Sequence, residues 1–151
     1  MKKILLTAAA IVLLGFGCES KEPEPKTAAQ LETERFVEHP NDIMLKNQKP
    51  GQTVAVAETK FAKPGFLAVI EPAQGEDDEE SIVGYSPIIQ SGQKQNRKIA
   101  LTVLMEEGET YIVRMYDDSD GDTEFKLSKD NPIYLAGTTD LLEKSFTVVA
   151  E

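Results

Sequence analysis

The chain has 151 residues, room for one domain once an N-terminal leader is set aside. With 26 acidic residues against 16 basic ones the formal charge is −10, which disfavours nucleic acid and anionic headgroups as electrostatic partners. A single cysteine excludes an internal disulfide, and one histidine with one cysteine cannot build a four-ligand zinc site.

Residues 1–17 read as a secretory signal: Lys2-Lys3, then an apolar run from Ile4 to Phe16 broken only by Thr7 and Gly15. The run is too short to span a bilayer, and no later stretch approaches the roughly 20 apolar residues that a spanning helix needs. Cleavage would remove two of the 16 bases and none of the 26 acids, taking the charge from −10 to −12. Cys18 stands directly behind the run. Leu14-Gly15-Phe16-Gly17-Cys18 resembles the lipobox of bacterial lipoproteins, with Gly17 as the small residue before the cysteine and Gly15 where leucine is usual. The resemblance implies an acylated Cys18 and a lipid-anchored envelope protein, at the outer membrane or cell surface rather than the inner membrane. Two or more acyl chains at ~0.8 kcal/mol per buried CH2 would make that attachment near-permanent. The alternative is an ordinary secreted protein that keeps a free thiol.

Residues 18–40 form a polar tether, extended where Pro23 and Pro25 fall. Within it Thr27 to Val37 has capping-box spacing, and the choice between a short helix and plain spacer stays open. From residue 41 to 151 short apolar runs alternate with turn residues. Ile43 to Lys46 predicts a first strand, and Thr53 to Thr59 a second with Val54 and Val56 on one face. Phe66 to Ile70 is apolar on both faces, which marks a central strand. Gly75 to Glu80 is an acidic loop, Ile82 to Tyr85 a short strand, and Ser91 to Gln95 a polar turn. Ile99 to Val103 and Tyr111 to Met115 alternate on either side of Glu106-Glu107-Gly108, the pattern of a β-hairpin. Pro132 to Leu135 and Ser145 to Ala150 complete the set, with Phe146 and Val148 on one face. Frequent turns without a sustained helical period predict an all-β fold, a Greek-key, immunoglobulin-like β-sandwich preceded by signal peptide and tether.

Several segments together resemble a family of β-sandwich domains found in exported and surface proteins of halophilic archaea and some bacteria. They are Gly65 to Ile70, Val83 to Gly92, Ile99 to Val103, Tyr116-Asp117-Asp118 with Asp120 to Phe125, and Phe146-Thr147-Val148. The resemblance covers roughly Ile43 to Glu151 and implies a sandwich fold and an exported location. That family has no assigned function, so no site residue is carried over.

One stretch has chemistry in its spacing. Asp118, Asp120 and Asp122 fall at alternate positions, as the first carboxylates of a calcium loop do, and Glu124 follows as a possible further ligand. Thr123 stands where glycine permits the sharp turn, and Lys129 where a bidentate glutamate belongs. Asp130, or a carboxylate from Glu76 to Glu80, is available if the fold brings it near. The bland reading is a solvated loop with Lys126 and Lys129 as counter-charges. Gly84-Tyr85-Ser86-Pro87-Ile88 begins like a nucleophile elbow but ends in Ile88, and His39 lies before the sandwich. A carboxylate-based hydrolase would need a cleft, for which a domain of about 110 residues leaves little room. The expectation is a non-catalytic binding or interaction module of the envelope, with a ligand or envelope protein as partner. A calcium-dependent structural domain is the alternative.

Overall fold

The computed structural model describes residues 27, 39–73 and 80–150. The signal peptide, Cys18, most of the tether with its helix option, and Glu76 to Glu79 lie outside them. Eight strands follow in order: β1 Asp42–Leu45, β2 Gly51–Phe61, β3 Gly65–Glu71, β4 Ser81–Tyr85, β5 Gly92–Met105, β6 Thr110–Asp117, β7 Asn131–Pro132 and β8 Glu143–Thr147. They make two antiparallel sheets. One has the order β1-β2-β5; the other runs β4-β3-β6, with β7 and β8 both on the far edge of β6. The chain crosses between sheets after β2, β4 and β5, the Greek-key order of an immunoglobulin-like sandwich. Among the described residues no helix is long and apolar enough to cross a membrane.

The two inner faces supply one core. Val54, Val56, Ile99 and Leu101 point into it from the first sheet, and Leu67, Val69, Val113 and Met115 from the second. Tyr111 and Phe146 stack across β6 and β8 with ring centroids 5.8 Å apart. Gly84 marks where the sheets close on each other. A Cβ there would lie 2.5 Å from the Ala100 carbonyl, so only glycine lets β4 approach β5 this closely. Beside it the Thr102 hydroxyl donates to the Val83 carbonyl at 3.0 Å.

The predicted hairpin is corrected by this topology. Ile99 to Val103 pairs with β2, whereas Tyr111 to Met115 pairs with β3 and β8, so the two strands sit in opposite sheets. Alternation records that one face is buried; it carries no information about the neighbour. The turn at Glu106 to Gly108, with Gly108 at φ 90°, carries the chain across the core. The polar turn expected at Ser91 to Gln95 is also corrected, because β5 begins at Gly92 and pairs with β2 throughout that region. Its residues read as a turn because they are mostly exposed polar groups with no apolar face to reveal a strand. The doubly apolar β3 is central, as its sequence predicts, between β4 and β6.

Gln48 ties the sheets at the end where β1 leaves β2. Its backbone bonds across to the second sheet, accepting from Val149 at 2.8 Å and donating to Thr147 at 3.2 Å. Its side-chain amide faces the first sheet, accepting from the Ala55 N–H at 2.9 Å and donating to the Ala55 carbonyl at 3.1 Å and the Lys46 carbonyl at 2.5 Å. The amide thus replaces the strand that the chain has just withdrawn from Ala55. Gln48→Leu strands those backbone groups and is expected to lose about 1–3 kcal/mol, read as a lower urea midpoint at unchanged slope. Gln48→Glu should do at least as badly, since it sets carboxylate oxygens against two carbonyls. Wild-type stability in the Leu variant would overturn this role.

Candidate functional site

Strand β6 delivers the acidic loop at the end where β2 finishes and β3 begins, with the Asp118 N–H donating to the Pro64 carbonyl at 3.1 Å. The loop folds back over the outer face of the second sheet. Phe125 pins it there, its ring 5.6 Å from Phe66 and 5.1 Å from both Tyr85 and Tyr116. This ring covers the outward apolar face of β3, where Phe66 and Ala68 are buried. Beneath the loop sits Asp130, only 3 % exposed. Its two carboxylate oxygens accept from the Ser119 N–H at 3.3 Å and the Lys126 N–H at 2.6 Å. The loop's shape therefore rests on a phenyl ring above and a carboxylate below.

The spacing of Asp118, Asp120, Asp122 and Glu124 predicted one convergent set; the fold sorts them into two. One oxygen each from Asp118, Asp120 and Asp130 lie within 4.8 Å of one another. Asp122 and Glu124 turn instead to Lys126, which makes ion pairs with both. The Lys126 ammonium holds the Asp122 carboxyl below the ordinary carboxylate range, helped by the Glu124 N–H, and its own pKa is raised in return. Most of the remaining oxygens have backbone duties: Asp118 accepts from Gly121 at 3.0 Å, Asp120 from Asp122 at 3.1 Å and Asp122 from Glu124 at 2.9 Å. Lys129 pairs with Asp120 at 3.0 Å, placing a cation beside the triad. Thr123 takes the left-handed conformation, φ 66°, at the position where a calcium loop has glycine. This donor set has the contacts of a hydrogen-bonded turn, because most of its oxygens already accept a hydrogen bond and a lysine competes for Asp120.

A second ion-pair centre lies farther back along the same outward face of β6. Arg114 reaches Glu143 at 2.6 Å and Glu80 at 2.9 Å. Burial pulls its pKa down, but the bonds to Glu80 and Glu143 outweigh this and leave it raised. Glu80, the described end of the acidic loop before β4, is thereby tied to the sheet.

The structure also contains a concavity that no sequence motif marks. It lies toward the opposite end of β2, has a volume of about 610 Å3 and is lined by residues 46–53, 55–57 and 96–98. Its flanks carry Lys46 and Lys49 on the segment after β1, and Arg97 and Lys98 on β5. Between them Pro50, Ala55 and Ala57 form an apolar floor. None of the lining residues is acidic, in a chain with 26 acids. Asn96, in the left-handed conformation at φ 53°, falls where the β2–β5 pairing skips Ala57. Each pair of cations reads alone as solvated charge; only the β2–β5 register and the crossover at Gln48 bring them onto one hollow.

Fold and site together define an immunoglobulin-like β domain with a self-supporting acidic loop at one end and a cationic hollow toward the other. The chain belongs to a domain family of unknown function (DUF7282), which matches residues 41–147. No curated protein and no solved structure matches the chain.

The loop's architecture predicts unequal roles for its acids. Asp130→Ala leaves two N–H groups unpaired and is expected to cost about 1.5–3 kcal/mol in denaturant unfolding. Asp122→Ala, on the exposed side, should leave the midpoint unchanged. Equal effects would show that Asp130 does not organise the loop.

Proposed function

We propose that the protein is a cell-envelope lipoprotein, held in the bilayer through acylated Cys18, whose β-sandwich is a non-catalytic binding module. The observation that carries the binding part is the hollow on β2. Its lining offers cations, amides and methyl groups, the groups of recognition, and holds no carboxylate, histidine or cysteine for acid–base or nucleophilic chemistry. The anchoring part rests on Cys18 behind the apolar run. The two parts are compatible in space. The chain enters the sandwich at the acidic-loop end, where Asn41 accepts from the Ala62 N–H at 2.7 Å, so a tethered domain would present the hollow away from the bilayer. Cys18→Ser is expected to release the protein from washed membranes and to abolish incorporation of labelled palmitate. A variant as membrane-bound as its parent sinks the anchor.

A calcium-dependent structural domain is the second reading, favoured by the Asp118–Asp120–Asp130 triad. Thermal unfolding of the full chain in chelator and then in millimolar calcium separates the two. The first reading expects no shift. A rise of several degrees that Asp120→Asn removes would instead establish the calcium site, since a ligand at 100 times its Kd adds roughly 2.7 kcal/mol.

A further inference from the structure

We propose that the hollow on β2 is a binding site for a small organic polyanion, one carrying two or more carboxylate or phosphate groups on a compact body. The inference rests on the binding-module reading and names its ligand class. Three features of the hollow point to it.

The first is uncompensated charge. Lys46, Arg97 and Lys98 make no ion pair among the described residues, whereas Arg114, Lys126 and Lys129 are all paired with carboxylates. A protein with ten more acids than bases has many partners to offer, yet none stands in this lining. Cations kept together without counter-charges repel one another, and an anion bound between them relieves that repulsion.

The second is placement on two walls. Lys46 lies on the segment after β1 and Lys98, the register partner of exposed Ala55, on β5, with the methyl groups of Ala55 and Ala57 between, while Arg97 lines the hollow from the edge strand beside Val56. A ligand with one anionic group would use a single wall. A ligand with two or three would bridge both and lay its uncharged body on the apolar floor. The lysines act as point charges, which suit carboxylate or phosphate without fixing the geometry of either.

The third is length. The hollow follows β2 from Gly51 to Ala57, about 20 Å of strand. Beyond Ala57 comes Glu58, whose carboxylate is bonded by Gln93 and Gln95. Across from Gly51 on β5 stands Met105, followed by Glu106 and Glu107. Acids therefore follow the hollow along β2 at one end and along β5 at the other, and a long polyanion running along the strands would meet their repulsion. The lining also contains no aromatic ring on which a sugar or base would stack. These features favour a short, densely charged ligand over a polymer.

The test is calorimetric titration of the full chain, in buffer with a non-ionic detergent, with citrate, tripolyphosphate and a hexaglutamate peptide. Amide chemical shifts serve to map the site. Citrate or tripolyphosphate is expected to bind with Kd below about 1 mM at low salt and to weaken steeply as salt rises. Which of the two binds more tightly assigns the carboxylate or phosphate source. The largest shifts should fall on residues 46–57 and 96–98, with residues 118–130 unmoved. The double variant Arg97→Gln, Lys98→Gln should weaken binding at least tenfold and Lys46→Gln several-fold, both at an unchanged unfolding midpoint. No binding of either small anion, or equal affinity in these variants, overturns the proposal. Binding of hexaglutamate alone also overturns it, but leaves the binding-module reading standing, whereas silence from all three ligands counts against both.

Discussion

The sandwich depends on how the first strand is shared between two sheets. β1 pairs with β2 for four residues, then the chain leaves, and Gln48 bonds in parallel to Val148's strand instead. That switch would leave Ala55 without a backbone partner at the sheet edge. A glutamine amide has the donors and acceptor of a peptide group, so one side chain closes the gap the backbone opened. Neighbouring Asn47 helps by accepting from the Thr147 N–H at 3.2 Å. The consequence reaches the hollow directly. By holding residues 46–50 against the edge of β2, Gln48 builds one wall of the concavity and fixes Lys46 and Lys49 beside it.

At the other end a similar economy holds the acidic loop. Many carboxylates in a short stretch repel, and a metal is one way to gather them. This loop holds another within its own residues. Phe125 supplies apolar anchorage, Asp130 bonds two backbone N–H groups from beneath, and Lys126 and Lys129 neutralise the exposed acids. Asp118, Asp120 and Asp122 then spend their oxygens on successive turn N–H groups. Alternate aspartates are what such a chain of side-chain turns requires, so the spacing that suggests calcium has a second physical origin.

How much was legible from sequence follows from the same physics. The sandwich was legible because buried faces impose alternation, and the doubly apolar β3 announced its central place. Pairing was not. Ile99 to Val103 and Tyr111 to Met115 show the same period whether they face each other in one sheet or across a core. The first half of β5 was hidden because its polar residues are exposed and leave no apolar face. In the acidic loop, Asp118 and Asp120 were found by local spacing, but Asp130 joins them through folding, and Asp122 and Glu124 leave them because Lys126 competes. Gln48 carries no sequence signal at all, since one polar residue between Asn47 and Lys49 reads as loop. The hollow was invisible for the most general reason: its charges come from positions about fifty residues apart.

The arrangement of charge then bears on what kind of partner the domain can take. A formal charge of −10 repels other anions at long range, over distances comparable to the Debye length. A cationic hollow on such a surface acts only at short range, once a ligand is small enough to enter between the flanking acids. The same field that excludes polyanions therefore sharpens selection for compact ones. The two ends also differ in charge: the loop end satisfies its own carboxylates, while at the hollow Lys46, Arg97 and Lys98 make no ion pair among the described residues.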